Sequence, residues 1–266
     1  MSNELDYPVG LTFDGGRYRL LTLLRGTSMD GLWLDDQASP RPAWIIYRRL
    51  RARPELKTLV DYTTPGLQPL LYFGPPDQGD SEFRREHTAV IEVAPGGTSL
   101  ADAGHLAVEE TVELGIALCD LVSAWAAAAG GEITRGLRPE TIFMTGPAGR
   151  RRFSVATPRA AFLLESDGNY GGRAAPTFEP PAMSGAVFSL EDGLFTVALL
   201  LWFASTQTHP YVVQGHAVYN NIWNDRRLPF PGAAGLGKVL EAALVADPAG
   251  RIGVDAFRAA LLELVR

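Results

Sequence analysis

An α+β fold is predicted by a change of pattern near residue 95. Before it, short apolar and β-branched runs alternate with polar turns, as strands do. After it, apolar residues recur at spacings of three and four, as on helices. The break itself, Pro95-Gly96-Gly97, is strong punctuation. The expected organisation is a β-rich unit over residues 1–94, starting near residue 15, and a mostly helical unit over 95–266.

The elements follow in order. Tyr18–Leu24 and Gly31–Leu34 flank a short polar turn, as in a hairpin. Trp44–Arg48, Pro69–Phe73 and Thr88–Ala94 are further strand candidates. Leu114, Leu118, Leu121 and Trp125 then line one helix face. Glu109, Glu110 and Glu113 precede or open that face, where carboxylates suit a helix N-terminus, and Gly130-Gly131 ends it. Short strands are expected near Ile142–Met144 and Arg152–Val155, around the turn Gly146-Pro147-Ala148-Gly149. An irregular stretch runs from Thr157 to Pro181. A very apolar helix is predicted over Gly193–Ser205, then a loop-rich stretch over Thr206–Gly237 and two terminal helices. The last carries Phe257, Leu261 and Leu264 on one face.

Composition narrows the function classes. The 266 residues are 46% hydrophobic, ordinary for a chain that buries a full core. A net charge of −6 argues against nucleic-acid or anionic-membrane partners. One cysteine, Cys119, excludes an internal disulfide, and it falls on an apolar helix face, as a buried thiol does. The N-terminal MSNELDYP lacks the basic-then-apolar pattern of a signal peptide, and the apolar run Leu194–Ala204 is too short to span a bilayer. A cytoplasmic location is expected. His87, His105, His209 and His216 are scattered, with no HExxH or Cys/His cluster, so no metal is expected. There is no GxSxG elbow. Lys57 and Lys238 are the only lysines; with abundant Ala, Arg and Gly they suggest a bacterial source.

One segment carries more information. Thr134–Phe143 reads TRGLRPETIF and resembles the protein-kinase catalytic loop HRDLKPENIL. Arg135, Leu137, Pro139, Glu140 and Ile142 match. Gly136 stands where the family has its catalytic Asp, Thr141 where it has the metal-binding Asn, and Arg138 where it has Lys. The resemblance extends from about Tyr18 to the C-terminus and is to bacterial serine/threonine kinases. It implies a two-lobed protein-kinase-like fold, a small five-stranded antiparallel lobe followed by a larger, mostly helical one, together a single domain.

The same comparison places the other motifs. LRGTSMDGLWL aligns with the glycine-rich phosphate loop, so Arg25, Thr27 and Asp30 fall on its glycines, and Gly26 and Gly31 are off register. Glycine is needed there for the backbone to approach phosphate; an ordinary hairpin turn is the other reading. The strand that should carry the phosphate-pairing Lys reads AWIIYRRL, putting Tyr47 or Arg48 at its place. Arg48 with Glu55 is a remnant ion pair on one reading and two solvated charges on the other. AVIEVAPGGTSLAD resembles the fifth strand and hinge, with Ile91 as gatekeeper and Glu92–Ala94 as hinge. The metal-binding Asp should lie near Ala156, Thr157 and Pro158, where there is no carboxylate; Asp167 is about ten residues too late. Phe178–Pro181 resembles the APE region, with Glu179 an out-of-register equivalent of its Glu. Asp192 matches the Asp that caps the catalytic-loop backbone, and His209-Pro210-Tyr211 the HPF triplet. Asp247–Arg251 resembles DPxxR, whose Arg251 would pair with Glu179.

Fold-supporting positions are thus kept while the phosphate glycines, the lysine, both metal ligands and the base are missing. The resemblance therefore implies a pseudokinase with no catalytic residues and no cofactor. Its cleft, with Arg25, Thr27, Asp30, Arg48, Ile91, Glu92 and Ala94, is vestigial. The function implied is that of a scaffold or regulator with a protein partner. The alternative is a nucleotide-binding switch or atypical transferase using the cleft with other residues. Candidate contacts are Arg150, Arg151 and Arg152, and Tyr219 and Trp223 in a segment rich in aromatic and amide residues. A second basic run spans Arg48–Arg53. Both runs read as solvated strand ends or as arginine forks for an anion or phosphopeptide.

Overall fold

The computed structural model describes residues 10–23, 31–36, 43–48, 63–86, 88–129, 137–156, 178, 189–213, 216–217 and 226–266. The protein is α+β and divides into two units. One holds the described residues from Gly10 to Pro95 except 63–67; the other holds 63–67 and the described residues from Gly96 onward.

The first unit is one antiparallel sheet with the spatial order β1-β2-β3-β4-β6-β5. Its strands are β1 (Thr12–Phe13), β2 (Tyr18–Leu23), β3 (Gly31–Asp36), β4 (Ala43–Arg48), β5 (Leu70–Gly74) and β6 (Thr88–Val93). The sequence predicts five strands and the described residues form six, because β1 adds itself to the edge of β2. A two-residue strand has no periodicity to detect. It is held from a distance: Gln78 Nε2 donates to Thr12 Oγ1 at 2.6 Å, and the Asp77 N–H donates to the Thr12 carbonyl at 2.8 Å. The Asp77 carboxylate accepts from the Gly15 and Gly16 N–H groups at 3.0 and 2.8 Å. Those glycines turn the chain back at φ +65° and +86°, where a Cβ would be strained.

β6 lies between β4 and β5, pairing Ile91 with both Ile45 and Tyr72. Residues Thr88 to Glu92 are all buried, which is why this strand reads as a near-continuous apolar run. A short helix, α1 (Ser81–Glu86), joins β5 to β6, and Asp80 Oδ1 caps it by accepting from the Phe83 N–H at 2.8 Å. Leu11, Phe13, Tyr18, Ala89 and Ile91 form the core here, with Leu71, Tyr72 and Phe83 packed against it.

The second unit begins with β7 (Thr98–Ser99) and α2 (Val108–Ala129). A 3₁₀ turn (Pro139–Thr141) then leads into the hairpin β8 (Ile142–Thr145) and β9 (Arg152–Val155), and β7 adds to β8 as a third strand. Next come α3 (Leu190–Thr206), the small pair β10 (Val212–Val213) and β11 (His216–Ala217), α4 (Ala234–Ala243) and α5 (Val254–Glu263). α3 is the axis. Every residue from Gly193 to Trp202 is buried, as expected of a helix apolar on all sides. Each fully buried Leu or Phe contributes about 1.5–3 kcal/mol relative to exposure. α3 packs on α2 and α4, and α2 also packs on α5. At Gly115 of α2 a Cβ would lie 2.7 Å from Leu261 Cδ1 and 2.9 Å from Leu201 Cδ1. Among the described residues no helix is long and apolar enough to cross a membrane.

Candidate functional site

The frame residues sit at the start of α3. Ser189 and Asp192 form a reciprocal capping box: Ser189 Oγ accepts from the Asp192 N–H at 3.2 Å, and Asp192 Oδ2 accepts from the Ser189 N–H at 2.9 Å. The other carboxylate oxygen of Asp192 receives Arg251 Nη1 at 2.7 Å. The Arg251 side chain is 0% exposed, and its Nε and Nη2 donate to the Val245 and Ala246 carbonyls at 2.6 and 3.0 Å. Its guanidinium also lies 4.9 Å from the Phe195 ring centre. The resemblance pairs Arg251 with Glu179; in the structure Arg251 pairs with Asp192, and Glu179 lies outside the described residues. Nearby, Phe178 is buried edge-on against Phe203 and His209. The Tyr211 N–H donates to His209 Nδ1 at 3.2 Å. These side chains serve packing.

The catalytic-loop positions divide. Gly136 lies outside the described residues. Arg138 stands in extended backbone ahead of the 3₁₀ turn, and Pro139 begins that turn, where its missing N–H costs nothing. Thr141 is fully buried. Its hydroxyl donates to the Arg138 carbonyl and accepts from the Arg138 N–H, both at 3.0 Å. The Thr141 carbonyl receives the Ala156 N–H at 2.9 Å, which ties the turn to the end of β9. At the place expected for a metal ligand the side chain therefore closes a local backbone ring.

In the sheet unit, Ile91 and Glu92 are buried on β6 and Ala94 is half-buried. The Arg48 backbone pairs with Thr88. Arg25, Thr27, Asp30, Glu55, Thr157, Pro158, Asp167, Tyr219 and Trp223 lie outside the described residues.

Within the helical unit the structure brings together residues that the sequence does not connect. A cavity of about 550 Å³ lies between α2 and the β8–β9 hairpin. Ile116, Ala117 and Leu121 of α2 line it, with Phe153 and Val155 of β9 and the Pro65-Gly66 turn. The Val155 N–H donates to the Gly66 carbonyl at 2.6 Å and so fixes the turn beside the hairpin. Arg151 Nε bonds Glu110 of α2, holding the hairpin to the helix. Glu110 also accepts from the Ala107 N–H at 3.3 Å, so one carboxylate serves both the helix start and the hairpin. Arg150 and Arg152 are exposed. The helical face of α2 and the basic run are each legible; their meeting requires the fold.

Cys119 is buried on α2, and burial, helped by neighbouring Asp120, pushes its thiol up to about 12. Such a thiol is not a nucleophile at neutral pH. Among the described residues no group of three or more His, Cys, Asp or Glu stands where it could hold a metal ion. Comparison with protein-family models gives no match. Comparison with curated protein sequences also gives none.

Proposed function

We propose that this chain is a catalytically inactive protein-kinase-like protein that works by binding other proteins, as a scaffold or regulator. In this reading β2–β6 are the five strands of the small lobe, β1 is an addition, and the helical unit is the large lobe. The observation that carries it is Thr141. Phosphoryl transfer rests on positioned metal, lysine and base. Where the resemblance puts a metal ligand, a buried hydroxyl is spent on the Arg138 backbone. Ala156, at the start of the second metal motif, is buried and has no carboxylate. Asp192 and Arg251 pair with each other, not with the catalytic-loop backbone and Glu179 to which the resemblance assigns them, so this pair does not support the reading.

The test is thermal unfolding with ATP or ADP, with and without magnesium. A ligand at a hundred times its dissociation constant stabilises a fold by about 2.7 kcal/mol, a readily measured rise in Tm. The expected result is no magnesium-dependent rise and no transfer of labelled γ-phosphate. A magnesium-dependent rise or label transfer would displace this reading in favour of the nucleotide switch or atypical transferase. Gly136→Asp alone is expected to restore no transfer, because lysine, phosphate loop and metal ligands are still missing; measurable turnover in that variant would overturn the account of coordinated loss.

A further inference from the structure

We propose that the cavity between α2 and the β8–β9 hairpin binds a small organic cation, an amine with an apolar body, whose ammonium group meets Glu113. This goes beyond the scaffold reading and does not rest on it.

Glu113 supplies the charge. It lines the cavity from α2. Its Oε2 is buried, and its carboxylate has no hydrogen bond or ion pair among the described residues. The other charges on these walls are met or lie in water. Arg151 bonds Glu110, about one turn before Glu113 on the same helix. Asp120, about two turns after Glu113, pairs with Arg258 at 3.1 Å. Arg152 is exposed, so its charge is screened. A carboxylate oxygen held out of water without a donor is costly, and a charge-assisted bond from an ammonium group removes that cost.

Size and closure set the rest of the ligand. About 550 Å³ falls within the range of small-molecule sites, and Ile116, Ala117, Leu121, Phe153 and Val155 make the walls mostly apolar. β9 is the last strand of its three-stranded sheet, but the chain itself covers its outer edge. Leu67 bridges Val155 in parallel, and the Val155 N–H donates to the Gly66 carbonyl at 2.6 Å. A Cβ on Gly66 would lie 3.7 Å from the Phe153 carbonyl oxygen, so the turn sits against the strand. That edge is thereby closed to an added strand, while the cavity beside it stays open to a compact molecule. One ring or a short branched chain ending in an amine satisfies the walls and the carboxylate together.

The experiment is a ligand-observed NMR titration of the full chain with three probes of similar shape: phenethylamine, phenethyl alcohol and hydrocinnamate. The amine should bind at least roughly tenfold more tightly than the alcohol, and the carboxylate more weakly than either. Glu113→Gln keeps the shape and removes the charge, so it should abolish the preference for the amine while the alcohol binds as before. It also removes an unpartnered charge, so the variant should be at least as stable as the parent in urea. Ala117→Phe, which fills the cavity, should weaken amine and alcohol alike. Arg152→Ala should leave the amine's affinity unchanged or raise it. Equal binding of amine and alcohol to the parent, a preference for the amine that survives Glu113→Gln, or no binding of the amine at millimolar concentration overturns the proposal. So does a loss in Arg152→Ala as large as that in Glu113→Gln. N-acetyl-lysinamide, which mimics a lysine on a partner protein, should bind more weakly than phenethylamine; equal or tighter binding would make the occupant a partner's side chain and overturn the small-molecule assignment. None of these titrations involves nucleotide or magnesium, so the scaffold reading and this site can fail separately.

Discussion

Asp192 joins two structures with one carboxylate: it closes the capping box on Ser189 and neutralises an arginine with no exposed side-chain surface. The two partners lie 59 residues apart. Removing one member of a buried, hydrogen-bonded pair leaves the other charge uncompensated, at a cost of about 3–5 kcal/mol. Asp192→Ala is therefore expected to lower the unfolding free energy of the helical unit, read by urea titration, by that order, with the lost cap adding to it. A change under ~1 kcal/mol would mean that Arg251 finds water or another acceptor. Thr196, one turn further along α3, is the opposite case. It is fully buried, and its hydroxyl has no hydrogen-bond partner among the described residues. An unsatisfied buried polar group costs about 1–3 kcal/mol, and valine keeps its shape. Thr196→Val should stabilise the protein by about 1 kcal/mol in the same titration, and a loss would show that the hydroxyl is satisfied in solution.

At the scale of elements, Gly115 sets how closely α2 approaches α3 and α5. A β-branched side chain there would meet Leu201 and Leu261 at once. Overpacking costs about 1–3 kcal/mol, so Gly115→Val should destabilise despite removing a helical glycine. Leu261→Ala should relieve part of that cost, and a double-mutant cycle reads the coupling. Additive losses would show that the helices simply move apart. The same interface explains what the sequence reveals. α2 and α3 are legible because their burial follows helical spacing: Leu114, Leu118, Leu121 and Trp125 are all buried where the pattern puts them. β1 and β7 are not, being two residues each and held by partners remote in sequence. α1 left one signal, Asp80 three residues before Phe83, a cap ahead of a run too short to show a period. The cavity needs α2, β9 and Pro65-Gly66 in one place, which no local pattern encodes. Arg251 could be singled out from DPAGR, but its pairing with Asp192 could not be read from the sequence.

For the molecule as a whole, Cys119 makes the stability of the helical core depend on alkaline pH. Its thiol is pushed up to about 12, first by burial and then by Asp120, with Arg258 acting in the opposite direction. The unfolded chain releases this proton near the ordinary thiol value, about 8.5. Between the two values the folded state holds more protons than the unfolded state, so stability falls as pH rises. The contribution is complete below about pH 8.5 and is lost progressively up to the folded value of about 12. Lysines and tyrosines titrate in the same range, but they are common to parent and variant. The measurement is therefore a difference: urea stability of parent and Cys119→Ala at pH 7 and at pH 10. The variant should differ from the parent by a fixed packing term at pH 7, and the parent should lose more than the variant on going to pH 10. Because Cys119 lies on α2, the difference should appear in the unfolding of the helical unit even if the sheet unit melts separately. Parallel stability curves for the two proteins would mean that the thiol reaches water in the native state. Modification by a thiol reagent below the urea transition would then show the same opening directly.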